Sequence, residues 1–131
     1  MAVIEMATKY IADWHYNHKN SIAFDNRPFA SVDEMNAALI QNWNTAVSPE
    51  DTIYILGDMF WCSTTAAIRV LEKLNGIKFL VKGNHDHQKS PEFKRYFRQI
   101  ADYLEIEDDG RPVVLCHYPI PCFKNNGYGW G

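Results

Sequence analysis

The sequence predicts an α/β layered domain whose first strands run parallel, and two observations carry that prediction. First, short apolar runs rich in β-branched residues alternate with stretches of helical periodicity along most of the chain. Such alternation builds a parallel sheet, because parallel neighbours are joined by crossovers that are usually helical. Second, ligand-type residues stand directly after strands: Asp13 and His15, Asp58, Asn84 with His85 and Asp86, and His117. Open α/β sheets bind their ligands at that carboxyl edge.

Thr8 to Ala12 reads as a buried strand that empties into a loop, from Asp13 to Ala30, rich in His, Asn and aromatic residues. Ser31 opens a helix: Ser31-x-x-Glu34 is a capping box, in which each side chain satisfies the other residue's backbone N–H. Val32, Met35, Leu39, Ile40 and Trp43 follow on one face. Ser48 to Asp51 is a turn, and Thr52 to Leu56 is a second buried strand ending in Gly57-Asp58. A helix from Thr64 to Leu74 turns Ala67, Ile68, Leu71 and Leu74 inward, and Asn75-Gly76 stops it. Ile77 to Val81 is the third strand, running into Gly83-Asn84-His85-Asp86. Pro91 starts another helix with Phe93, Tyr96, Phe97 and Ile100 on one stripe. Tyr103 to Glu107 and Pro112 to Cys116 are strands joined by Asp108-Asp109-Gly110, a hairpin signal. Beyond His117 the chain is turn-like, with no repeat or low-complexity tract anywhere.

The 131 residues fit a single domain, 1–131, and 47% hydrophobic with 14% aromatic residues suffice for a core. A net charge of -3 excludes a general basic field toward nucleic acid, although Lys and Arg cluster between Lys89 and Arg98. No apolar run approaches the roughly 20 residues of a membrane span, and Met1 to Tyr10 lacks the regions of a signal peptide. Cys62, Cys116 and Cys122 form an odd set without a CxxC pair, which argues against a disulfide framework and for a cytoplasmic protein. Their spacing around His117 fits no structural zinc pattern.

Asp, His and Asn at the ends of adjacent strands are the donors that hold two divalent cations about 3.5–4 Å apart. A carboxylate can bridge both metals, and Asp58 is the natural bridge, with Gly57 keeping the backbone close beneath. There is no GxxxxGK(S/T), GxGxxG or GxSxG motif to support another chemistry. The bland alternatives are an Asx-turn at Asn84, a core histidine at 117, and turn aspartates at 13 and 58. They do not account for all four groups following strands.

Asp13-Trp14-His15, Gly57-Asp58, Gly83-Asn84-His85-Asp86 and Cys116-His117-Tyr118-Pro119 together resemble the DxH, GD, GNH(D/E) and H blocks of the calcineurin-like metallophosphoesterase superfamily, in the same order. The resemblance implies a pair of β-sheets flanked by helices, a four-layer α/β/β/α sandwich. It implies hydrolysis of phosphate mono- or diesters by a metal-bridging hydroxide on two divalent ions, Mn or Fe foremost, with Zn, Ni or Co admitted. Asp13 and His15 would ligate the first metal, Asp58 would bridge, and Asn84 and His117 would ligate the second, with Asn84 also near the substrate phosphate. His85 would serve the leaving oxygen, oriented by Asp86. His18 and Arg27 are candidate substrate contacts, the latter as a phosphate clamp or a surface ion pair.

The family's downstream GHxH block is missing, so the expectation is a C-terminally truncated chain lacking its last ligands and core strands. The expected partner is a small phosphate ester or nucleotide, with nucleic acid admitted and no membrane. The oligomeric state is not legible. The rival readings are a nuclease of the same fold and a catalytically inactive scaffold.

Overall fold

The computed structural model describes residues 7–24, 26–83, 86 and 90–118. The chain order is β1 (Thr8–Ala12), α1 (Ser21–Phe24), α2 (Val32–Ala46), β2 (Thr52–Leu56), α3 (Thr64–Leu71), β3 (Ile77–Val81), α4 (Pro91–Lys94), β4 (Gln99–Ala101), β5 (Leu104–Asp108) and β6 (Arg111–Leu115). A four-stranded sheet of order β1-β2-β3-β4 is parallel throughout, and β5-β6 form a separate antiparallel pair.

The strand period of two sorts the core into two layers. Ile53 and Ile55 of β2 and Leu80 of β3 face Trp43, Val47, Ala67, Val70 and Leu71, which the helices present to one side of the sheet. Tyr54, Leu56, Phe79 and Val81 point the other way, onto Leu104, Ile106, Val113 and Leu115 of the hairpin. Tyr10, Tyr54 and Phe79 stand opposite one another across three strands, with ring centroids 5.7 and 4.9 Å apart. The Tyr10 hydroxyl donates to Asp108 and so ties the two sheets. This two-faced burial is what a parallel sheet requires. Among the described residues, no helix is long and apolar enough to cross a membrane.

Several elements differ from the sequence expectation. The Ser31 hydroxyl caps α2 by accepting from Glu34 N at 3.1 Å, but Glu34 Oε2 reaches Ala30 N at 3.3 Å rather than the N–H of Ser31. The box is thus displaced by one residue. The predicted loop contains the short α1. Helix α3 stops at Leu71 instead of Leu74, because the chain tightens at Glu72 and the buried Lys78 ammonium takes the carbonyls of Leu74 (2.8 Å) and Gly76 (3.1 Å).

The long helix expected from Pro91 is only one turn. Phe93 and Phe97 bury within that turn and its exit, after which Gln99–Ala101 adds to β3 as a strand. Arg98 N donates to Lys78 O at 2.7 Å and Lys82 N to Ala101 O at 2.8 Å. The open edge of β3 offers a row of backbone donors and acceptors, and satisfying them outweighs continuing a helix whose aromatic residues are already placed. The hairpin forms as expected, within one residue at the strand ends. Asp109 and Gly110 both have positive φ (52° and 76°), the signature of a type I′ turn.

Candidate metal centre

Past their last residues, β1 and β2 remain zipped. Asp13 N donates to Gly57 O (3.3 Å), His15 N to Asp58 O (3.0 Å), Tyr16 N to Met59 O (2.9 Å) and Trp61 N to Tyr16 O (2.8 Å). Alternate residues of the first loop serve opposite purposes. Trp14 is buried at 4% exposure, and both Trp14 and Tyr16 stack into the core against Phe60. Asp13 and His15 are therefore raised to the sheet's carboxyl edge beside Asp58. Asp13, His15 and Asp58 have φ of 52°, 54° and 51°. Left-handed backbone is uncommon outside glycine, although Asp and His adopt it more readily than most residues, and such outliers gather where function fixes a side chain's aim.

From the other sheet, β6 delivers His117. Its Nδ1 lies 3.0 Å from Leu56 O, an acceptor, so Nδ1 carries the proton and Nε2 faces Asp58 Oδ2 at 3.5 Å. This is how metal-ligating histidines are held. The site floor is made of glycine. A Cβ on Gly57 would stand 2.3 Å from His117 Nδ1, and one on Gly83 would stand 2.5 Å from Asp58 Oδ1 and 2.9 Å from Asp58 N. Ligand atoms of Asp13, Asp58 and His117 all lie within 4.8 Å of one another. His15 Nε2 approaches the same two carboxylates at 3.7 and 4.0 Å. Two carboxylates, one of them buried, converging with imidazole nitrogens are a donor set that fits a divalent metal ion.

The remaining candidates fall differently. His18 Nδ1 is 3.0 Å from His15 Nδ1, and its ring stacks on Trp61 at 4.2 Å, so it contacts the site through His15. Arg27 donates from Nη1 to Trp14 O (3.0 Å) and from Nη2 to Asp13 O (2.9 Å). It braces the ligand loop through these backbone carbonyls. Asp86 Oδ2 accepts from Asp58 N (2.8 Å) and Gly83 N (2.6 Å), and Oδ1 from Met59 N (3.0 Å). It therefore locks the β2 and β3 loops together. Asn84 and His85 lie outside the described residues. Trp61, which packs on both His15 and His18, went unnoticed in the sequence, where nothing in its neighbourhood signals it.

The chain matches the calcineurin-like phosphoesterase family over residues 6–129. It is 40% identical to an uncharacterised protein of Methanocaldococcus jannaschii, over 92% of this chain and 63% of that protein. The gene 66 protein of Mycobacterium phage L5 is 35% identical over 60% of this chain and 39% of its own length. Among solved structures, a protein of unknown function from Aquifex aeolicus superposes with a TM-score of 0.71 at 34% identity, covering 88% of this chain and 62% of that one. The chain thus spans under two thirds of the length of these relatives. With that family match over residues 6–129 and the ligand atoms of Asp13, Asp58 and His117 gathered at one sheet edge, the chain belongs to the calcineurin-like phosphoesterase family.

Proposed function

We propose that this protein is a metal-dependent hydrolase of phosphate mono- or diesters, with a dinuclear centre at the carboxyl edge of the parallel sheet. The observation that carries the reading is the approach of Asp13, Asp58 and His117 ligand atoms within 4.8 Å, contributed by three separate strands. Asp13 and His15 would hold one ion, Asn84 and His117 the other, and Asp58 would touch both. Bound divalent ions supply Lewis acidity toward a phosphoryl oxygen and lower the pKa of coordinated water. The chain's own residues do the rest. The Leu56 carbonyl fixes the His117 tautomer. His18 sits against His15 Nδ1 and steadies its ring. Asp86 holds the Asp58 loop through two of its backbone amides. His85 is assigned the proton for the leaving oxygen, and Asn84 the substrate phosphate.

The test is elemental analysis after loading with Mn²⁺ and desalting, paired with turnover of p-nitrophenyl phosphate and its bis ester. The expected result is about two ions per chain in the native protein and a large loss in Asp58→Asn. His85→Ala keeps its metal but loses about 10²–10⁴-fold in turnover. Unchanged metal content in Asp58→Asn, or unchanged turnover in His85→Ala, would overturn the assignment.

A further inference from the structure

Beside the candidate centre lies a cavity of about 430 Å³ whose walls include Lys82, Lys94, Arg98, Phe97, Gln99 and Asp86. Three cations line it in a chain whose net charge is -3. The sequence suggests that Lys94 and Arg98 are simply the solvated face of a helix. Because α4 ends at Lys94 and the chain turns into β4, they instead converge on a concavity with Lys82 from the end of β3. Asp86, the carboxylate in its wall, has both oxygens engaged with the backbone amides of Asp58, Met59 and Gly83. These amides hold its oxygens toward the loops, and among the described residues no ion pair joins it to Lys82, Lys94 or Arg98. Lys82 is paired with Asp102 at 3.5 Å, but that carboxylate is 85% exposed, and such pairs yield readily to a better acceptor. Among the described residues Lys94 and Arg98 have no carboxylate partner.

We propose that this cavity binds a second phosphate group of the substrate, which makes the substrate a small molecule with two phosphates on separate positions, of the nucleoside-bisphosphate class. The inference rests on the phosphoesterase reading of the adjoining centre and narrows it. Asp86 is the link between the two places: it lines the cavity and accepts the N–H of Asp58. One residue therefore separates the second-phosphate site from the carboxylate assigned to both ions. Arg98 supplies the planar fork suited to phosphate, Lys94 and Lys82 supply point charges, and Phe97 gives the cavity an apolar side. The cations are gathered in one cavity and the chain as a whole is acidic, which favours a compact ligand over a nucleic-acid strand that needs a continuous basic track.

The experiment is calorimetric titration of the metal-free protein, in EDTA, with inorganic pyrophosphate, orthophosphate and a short single-stranded DNA. Native protein and a Lys94→Ala/Arg98→Ala double variant are compared, both side chains being exposed enough that folding should survive. Pyrophosphate is expected to bind more tightly than orthophosphate and to weaken at least about tenfold in the double variant, the worth of roughly one charge-assisted hydrogen bond. In Mn²⁺-loaded protein the same variant should raise KM for a nucleoside 3′,5′-bisphosphate about tenfold more than for p-nitrophenyl phosphate. Equal pyrophosphate affinity in the two proteins overturns the proposal, as does DNA binding tighter than pyrophosphate that the variant abolishes. Because the titration is done without metal, pyrophosphate binding lost in the variant with no turnover in either protein would keep the anion site and remove only the hydrolase reading.

Discussion

At the scale of the residue, the centre depends on what is missing as much as on its donors. Gly57 and Gly83 make the floor on which the His117 ring and the Asp58 carboxylate rest, at distances a Cβ would occupy. Gly57 is doubly constrained, with φ +78°. Gly83 is the cleaner probe, because its objection to a side chain is steric and the obstructing atoms include backbone. Gly83→Ala should destabilise the protein by about 1–3 kcal/mol, as overpacking does. It should also lower metal affinity disproportionately by displacing Asp58. Urea unfolding with parallel Mn²⁺ titration reads both, and a variant that binds metal like the native protein would show that Asp58 has room to move. The close Gly57 passage was legible in the sequence from the GD pair. The role of Gly83 as a seat for Asp58 was not, because the two glycines meet only across neighbouring strands.

At the scale of the element, the sheet is registered at its amino edge by Asp51. Its buried carboxylate accepts from Ser48 N (2.9 Å) and Ala7 N (3.0 Å), and its carbonyl accepts from Ile77 N (2.7 Å). One residue thus gathers the starts of β1, β2 and β3. The amide of Ser48, then that of Ala7, holds the carboxyl below its ordinary value. A depressed folded-state pKa means the unfolded chain binds more protons in acid. The contribution is therefore complete above about pH 4 and is lost as pH falls through the folded value. Asp51→Asn should lower the thermal midpoint at pH 7, with the deficit shrinking toward pH 2–3. An equal deficit at both pH values would show that the charge is not what the amides recognise. The sequence marked Ser48 to Asp51 as a turn, while its hold on β1 lies between residues 44 apart. The fate of α4 was hidden for a related reason: the periodicity of Phe93, Phe97 and Ile100 is helical, and only the vacant edge of β3 converts its second half to strand.

At the scale of the molecule, the site exists only while the two sheets are docked. His117 comes from the hairpin, and its bond to Leu56 O spans 61 residues of chain. The docking core is Val81, Leu104 and Leu115, with Leu115 only 4% exposed and two residues before His117. Leu115→Ala should cost about 2–5 kcal/mol. Below its unfolding transition it should also bind metal more weakly, since the cavity lets the β6 end shift away from Gly57. Full metal affinity in a folded but destabilised variant would show that the position of His117 does not depend on sheet docking.

The amino-acid sequence by itself determined the kinds and order of most elements, the parallel character of the first strands, and which donors gather at their carboxyl ends. These properties are local: a strand's period, a cap, or a polar residue closing an apolar run is settled within a few positions. What only the tertiary structure decided was which groups meet. It turned Arg27 onto the backbone of the ligand loop, set His18 behind His15, spent Asp86 on the amides of Asp58 and Met59, and drew Lys82, Lys94 and Arg98 around one cavity. Each of these follows from competition among partners brought together by sheet pairing and burial, where an unsatisfied backbone group costs more than a side chain's local preference.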